Sequence, residues 1–398
     1  MNGSDRIAKV LANFSKWLDA YGETSWDHQS FFAGPVGRRA KSLYYRNRLI
    51  GTAAVAPMIF CEAFVPSARR LFHRRIRFPI ADAHYAMGFA FLSRTFDTAA
   101  YYGRAVHFLE VLEKTRCSGY EREGWGYPFD WETILGTIKS GTPLITTLPY
   151  VYEAFREVYE LDKDERWRQH MRSIAQHALL DYRDIETSPG AASCGYTPNP
   201  DDPAGVVNAS AYRAVLLATA AVDFSEAKYR EVALRNMNYV LQSQNADGSW
   251  YYATDGRRNF IDHFHTCFVL KALVKIERLI GDPRLTAGIE RGVTYYVRNL
   301  FDEQGLPRPF SKRPRLTIYR RELYDYAECL NLAALLRGRF AELDAVLLTV
   351  LRDVLDRWQR PDGSFRSRQL LLGWDDVPMH RWAQAQMFRS LSLLLHTS

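Results

Sequence analysis

No stretch of this 398-residue sequence holds the roughly 20 consecutive apolar residues that a membrane-spanning helix needs. The opening residues form an amphipathic stretch broken by Lys9, Lys16 and Asp19, unlike the apolar centre of a signal peptide. Cysteine is sparse. Cys61, Cys117, Cys194, Cys267 and Cys329 are odd in number, far apart and form no Cys-x-x-Cys pair, which argues against a disulfide framework or thiolate zinc knuckle. Buried reduced thiols in a cytoplasmic protein are the expected reading. Apolar/polar alternation at period 2 is nearly absent, so little sheet is expected. A phosphate-binding glycine loop, a Gly-x-Ser-x-Gly elbow and a His-Glu-x-x-His helix are all missing. No metal and no cofactor are expected.

Acidic residues are scarce in one region only. Residues 1–77 carry 13 Lys or Arg against 5 Asp or Glu, whereas the whole chain is only +7. The surplus is concentrated in residues 38–77, around Arg38, Arg39 and Lys41, Arg46 and Arg48, and the run from Arg69 to Arg77. Such a patch suits an anionic membrane surface or an anionic substrate; a solvated helix face accounts for it equally well. No nucleic-acid-binding motif accompanies it, so nucleic acid is not an expected partner.

What is abundant is repetition. Gln244-Asn245-Ala246-Asp247-Gly248-Ser249-Trp250 returns as Gln359-Arg360-Pro361-Asp362-Gly363-Ser364-Phe365, with a looser copy between them at Phe301 to Pro307. Glycine–aromatic turns recur upstream at Gly124-Trp125-Gly126-Tyr127 and Gly195-Tyr196. An amphipathic helical pattern precedes each turn, at 99–115, 165–182, 226–244, 284–301 and 341–359. A more apolar, small-residue helix follows each, starting near Thr142, Asn208, His263, Tyr324 and His380, and a sixth starts near Asp82. Successive starts are 60, 66, 55, 61 and 56 residues apart. A polar-faced helix paired with an apolar one is what a two-layer ring requires. The expectation is all-α: a single (α/α)6 toroid over residues 1–398, six helical hairpins with little or no sheet. Its first hairpin is expected in the basic segment 1–80, with the outer helix in 41–65.

The Gln-x3-Gly-x-Trp/Phe turns resemble the glutamine–tryptophan motifs of squalene and hopene cyclases and of protein prenyltransferase β-subunits, which are α-toroids. Asp262-His263-Phe264-His265-Thr266-Cys267-Phe268 is similar to the prenyltransferase Asp-x-x-His-Thr-Cys-aromatic stretch, a resemblance that implies a zinc-ligand role for His265. Residues 203–224 hold no Asp-x-Cys pair, and Trp374-Asp375-Asp376-Val377 is only a fragment of the cyclase acidic motif, so this likeness covers architecture and turn chemistry. The chain also resembles α-toroid proteins of bacterial exopolysaccharide and O-antigen biosynthesis. The residues carrying that likeness are Asp247 to Tyr251, His265-Thr266, and Arg381-Trp382-Ala383-Gln384-Ala385-Gln386. It implies an oligosaccharide or lipid-linked glycan as substrate.

In such a ring the inner-helix starts face one funnel, where free N–H groups favour negative charge. Asp262 and His265, three apart, share a helix face, and a carboxylate beside an imidazole fixes its tautomer as a general base requires. Helix capping by Asp262 is the plainer alternative. Asp82 with His84 repeats the theme, and Tyr326 is a further proton-transfer candidate. Trp125, Tyr196, Trp250 and Tyr251 offer faces for sugar stacking, with Asp130, Asn208, His263, His380 and Arg381 as polar binding candidates. These assignments fit a glycosidase, lyase or uronyl epimerase. A terpenoid- or prenyl-handling enzyme and a non-catalytic glycan-binding protein are the alternatives.

Overall fold

A computed structural model describes residues 3–314 and 316–397. The outermost sequence helix, α1 (Gly3–Tyr21), is followed by a short α2 (Ser30–Ala33), a helical pair α3 (Pro35–Arg46) and α4 (Arg48–Phe64), and the single turn α5 (Arg69–Phe72). Five inner–outer pairs then alternate: α6 (Pro79–Phe96) with α7 (Ala99–Thr115), α8 (Leu148–Asp162) with α9 (Glu165–Leu180), α10 (Val207–Phe224) with α11 (Ala227–Gln242), α12 (His263–Ile280) with α13 (Pro283–Asn299), and α14 (Leu323–Leu335) with α15 (Ala341–Asp353). The last helix is α16 (Ala385–His396), preceded by a π-helical segment His380–Gln384.

The six inner helices contact one another in the order α6–α8–α10–α12–α14–α16 and back to α6, a closed ring. Their composition explains the position: α10 buries nearly its whole length, in a sequence rich in alanine. The outer helices bury one face, as Leu285, Ile289, Val293 and Tyr296 of α13 do at helical spacing. Inner-to-outer turns are tight. α6, α8, α10 and α12 each end on a residue in the left-handed region: Asp97, Lys163, Ser225 and Gly281. The outer-to-inner connections are long and gather at the opposite end. They hold all the strands: hairpins β1 (Trp131–Thr133) with β2 (Gly136–Ile138) and β3 (Asp184–Ser188) with β4 (Ala191–Cys194), the pair β5 (Ile261–Asp262) with β6 (Phe310–Lys312), and a three-stranded set β7 (Tyr319–Glu322), β8 (Arg368–Leu370), β9 (Trp374–Asp375). The all-α toroid expected from the repeat is the observed architecture.

The sixth outer helix is α1, not a helix in 41–65. The repeated turns show why. Gln244 donates to the Gly288 carbonyl of the next outer helix, α13, at 2.9 Å, and Gln359 donates to the Val10 carbonyl of α1 at 3.3 Å. A methyl group on Gly248 (φ +91°) would sit 2.4 Å from the Arg291 carbonyl oxygen, and one on Gly363 (φ +95°) 2.5 Å from that of Asn13. Each glycine therefore satisfies both a left-handed backbone and a close approach to the neighbouring helix. The same motif that locks α11 to α13 locks the end of α15 to α1. Residues 35–64 form instead an excursion: α3 and α4 pack on each other around Phe31, Ala40, Val55 and Met58. Buried ion pairs fasten this excursion and the α5 turn after it to the ring, Glu62 with Arg368 at 2.6 Å and Arg69 with Asp375 at 2.7 Å. The basic segment is thus partly structural, since Arg75 and Arg77 also bind Thr24, Tyr21, Asp82 and Glu23. Arg39, Arg46, Arg48, Arg70 and Arg74 remain exposed.

Candidate functional site

The long connections surround a funnel of about 440 Å3 at the inner-helix starts. Its wall mixes aromatic and polar groups: Tyr127, Trp131, Tyr196, Tyr252, Phe264, Tyr324 and Trp382, with His28, Lys41, Asn208, Arg258, His265 and Arg381. The excursion borders it through Lys41 and Tyr45 of α3, and the β1–β2 hairpin contributes residues 131–138.

His265 reaches the funnel because β5 delivers the chain to α12 with Asp262 at the cap. Asp262 Oδ1 accepts the His265 backbone N–H at 2.9 Å, and its Oδ2 takes the His265 Nδ1 proton at 2.6 Å. A carboxylate accepts only, so Nδ1 carries the hydrogen and Nε2 holds the lone pair. Capping and imidazole orientation are therefore one interaction. Tyr252 and Phe268 pack edge-on against the ring, at 4.7 and 5.5 Å.

A second couple lies in the connection between α1 and α2. His28 Nδ1 is 3.2 Å from Asp27 Oδ1, while the Gln29 amide meets Nε2 at 2.9 Å and the Gln29 carbonyl takes Lys41. Arg381 Nη2 also approaches Nδ1, at 3.4 Å, so both ring nitrogens of His28 are held. Burial, with Arg381 and Arg368 adding, pushes His28 down to about 4 against the pull of Asp27, so the ring is neutral near pH 7. Burial works to raise Asp27, but Arg381 and His28 hold its carboxyl well below the usual range. Arg381 grips Asp27 through Nε at 3.0 Å and Nη2 at 2.6 Å, and Nη1 donates to Tyr127 Oη at 3.1 Å. The residue is first a strut for this couple.

A stacked aromatic pair adjoins the second couple and reaches the first through Phe264. Trp382 stacks on Tyr324 with centroids 4.3 Å apart, touches the His28 ring at 4.2 Å and meets Phe264 edge-on at 5.3 Å. A break in the helix makes room for it: Trp382 and Ala383 leave helical geometry, at φ −139° and −159°.

Of the other residues singled out from sequence, Tyr196 and Asn208 line the funnel. Tyr196 Oη accepts from Thr146 at 3.2 Å, and the buried Asn208 Oδ1 has no hydrogen-bond partner. The remainder point elsewhere. Trp125 and Trp250 are buried and donate to Leu112 and Val240 carbonyls of the preceding outer helices, so they anchor the turns. Tyr251 sits under Lys312. Asp130 binds Arg38 and the Ser140 N–H, tying α3 to the rim. His263 hydrogen-bonds Tyr296 and the Leu300 and Arg308 carbonyls, and burial takes it down to about 3. His380 bridges Tyr85 and the Gly22 carbonyl and is pushed down to about 4, chiefly by burial. Tyr326 packs on Trp358. Asp82 binds Arg77 and rises to about 7, through burial. His84 lies below the funnel against Tyr150. The reason is helical: residues two apart are about 200° apart around the axis, so His263 and His265, or Tyr324 and Tyr326, face opposite layers. His28 was missed because residues 22–29 lie outside every repeat; the Asp-His dipeptide was the available signal.

No protein-family model and no curated protein matches the sequence. Solved structures do match in fold. A cellobiose 2-epimerase from Bacillus thermoamylovorans aligns with a TM-score of 0.62 at 8% identity, over 80% of this chain and 87% of that one. A polysaccharide lyase aligns over 100% and 97% with a TM-score of 0.60 at 11% identity. A family 76 glycoside hydrolase from a Bacteroides thetaiotaomicron strain gives 0.59 at 12% identity, over 80% and 69%. These neighbours are carbohydrate-processing proteins on the same toroid, and at such identities the likeness is one of fold.

Proposed function

We propose that the chain is a carbohydrate-active enzyme that moves a proton at a sugar carbon, as an epimerase, isomerase or lyase does. The observation that carries this reading is the aspartate-held imidazole of His265 in the funnel wall, linked through Phe264 to the stacked Trp382–Tyr324 pair on which the Asp27–His28 couple rests. The partly exposed aromatics of the wall, Trp131 and Tyr252 with the edge of Trp382, meet the C–H groups of a sugar ring. His265 Nε2 takes the proton from the carbon next to a carbonyl or carboxylate, and the electron pair of that C–H bond moves onto the oxygen as an enediolate. Return of a proton from solvent to the other face gives the epimer; departure of the β-oxygen, which takes up the proton held by the His265 imidazolium, gives the lyase product. Hydrolysis fits less well. The acids bordering the funnel are Glu132, Asp201 and Asp202; Glu132 accepts from Thr137, and Asp202 from Thr197 and Ala204. A glycosidase needs two carboxylates facing across roughly 5–9 Å. The charged groups in the wall likewise favour a sugar over an isoprenoid.

The excursion supports a membrane-proximal, lipid-linked or polymeric glycan. Leu49, Ile50, Phe60 and Phe64 of α4 are exposed beside Arg46 and Arg48, an apolar face with a basic edge that fits an anionic bilayer surface.

The test is incubation with reducing mono- and disaccharides and uronic-acid oligosaccharides in D2O, read by NMR and mass spectrometry. Deuterium entering one sugar carbon, lost in His265→Asn, is the expected result. Glycosidic cleavage by water without C–H exchange would overturn the reading in favour of hydrolysis.

A further inference from the structure

The ring encloses a second cavity. Below the funnel, Tyr150 and Tyr212 meet hydroxyl to hydroxyl at 2.5 Å and border both spaces, forming a floor. Beneath it lies a chamber of about 310 Å3 walled by residues of all six inner helices. The proposed proton transfer uses none of its residues.

The chamber's charges do not balance. Lys271, Lys275 and Arg389 converge there from α12 and α16. Their acidic partners are two. Glu328 binds Lys271, and Glu153 binds Lys275. Arg389 is 3% exposed, and its Nε and Nη2 have no hydrogen-bond partner; Glu328 Oε1 lies 3.8 Å from Nη2, beyond hydrogen-bond reach, and the other oxygen of that one carboxylate binds Lys271. At the margin, Arg156 is matched by Asp223, while Arg278 donates to the Leu335 carbonyl. The deep group therefore carries one positive charge without a counter-charge. Burying an unpaired charge is costly enough that such groups are paired in folded proteins. His84 reports the same field. It is fully buried with both ring nitrogens unbonded, and burial followed by Arg389, Lys271 and Lys275 keeps it well below its ordinary value. Lys271 is itself lowered to about 8, by burial and by Arg389, against Glu328.

We propose that this chamber binds a small oxyanion of the phosphate class, entering from the end of the ring where the inner helices finish, with Arg389 and Lys275 as its principal donors. Arg389 presents two unused N–H directions of a planar fork, which match adjacent oxygens of one anion. The anion neutralises the surplus charge and sits directly under the Tyr150–Tyr212 floor, separated by it from whatever the funnel holds.

Titration of the whole protein with inorganic phosphate at constant ionic strength, followed by calorimetry and 31P line broadening, tests this. One saturable site is expected, weakened about tenfold or more in Arg389→Gln and in Lys275→Gln, as loss of a charged hydrogen bond predicts. Lys275 is partly exposed, so its variant keeps the test decisive should Arg389→Gln not fold. His265→Asn retains full phosphate affinity, which separates this site from the funnel. Glycerol phosphate distinguishes the source: competition means that the chamber admits a phosphate ester, and none means that it takes the free ion. Absence of saturable binding, or binding unchanged in both chamber variants, overturns the proposal.

Discussion

Replacing Asp262 by Asn isolates what the carboxylate does for His265. Asparagine caps a helix as well as aspartate, so the bond from the His265 N–H survives and the stability change stays within about 1 kcal/mol. That corresponds to a shift of a few degrees in melting temperature at most. The side-chain bond changes more. A hydrogen bond to a charged group contributes about 1.5–3 kcal/mol against about 1 kcal/mol for a neutral one. The amide also offers N–H groups where the carboxylate offered only lone pairs, so the imidazole hydrogen moves to Nε2 and the lone pair leaves the funnel. Loss of a positioned base lowers turnover roughly 10²–10⁴-fold. Imidazole 15N NMR reads the tautomer without any substrate. The wild type should carry its His265 hydrogen on Nδ1 and Asp262→Asn on Nε2, with C–H exchange of the sugar falling in parallel. A wild-type hydrogen on Nε2, or exchange unaffected by the substitution, would refute the assignment of His265 as base.

Gly363→Ala should cost about 2–4 kcal/mol, because it combines a left-handed backbone with a 2.5 Å clash on α1; Gly305→Ala, at φ +73° with its nearest contact at 3.6 Å, should cost about 1 kcal/mol. Thermal melts of the two variants compare them directly. Trp382→Ala should weaken binding of the turned-over sugar by about tenfold, measured by calorimetry. Acid should destabilise the fold through His28, His263 and His380, each held below its unfolded value of 6.5. Between pH 6.5 and about 4 the unfolded chain binds more protons at these sites, so their stabilising contribution is complete above pH 6.5 and lost as pH falls; Asp82, raised to about 7, opposes with one proton. Denaturant midpoints against pH should flatten in His263→Gln. Vesicles containing phosphatidylserine should sediment the protein in low salt, and Phe60→Ser with Phe64→Ser should abolish this; no binding to anionic vesicles would remove the membrane from the account.

The ring was readable because its signals are local and repeated. Asp-Gly turns, small-residue inner helices and amphipathic outer ones each leave a pattern within twenty residues. The placement of the first outer helix was not, because Gly51 to Phe64 is more apolar than α1 and its exposed face cannot be told from a buried one by composition. At the site, Asp262 and His265 were legible as a three-residue pair on one face. The outward turn of His263, His380 and Tyr326 depends on the rotation at which each connection delivers its helix, and those loops have unrelated lengths. The Asp27–His28 couple needs Arg381, more than 350 residues away, to become a site at all.

Closing the ring with α1 also creates a seam in time. Arg6 meets Asp356, Val10 meets Gln359 and Gly22 meets His380, so the last joint joins residues about 350 positions apart. During synthesis α1 emerges before its neighbours, α15 and α16, and must wait for them with its apolar face uncovered. Ring closure is then the step with the greatest loop-entropy cost. His28 sits just past that joint. A fluctuation that loosens α1 therefore disturbs one of the two histidines in the funnel while leaving the other, on α12 across the ring, in place.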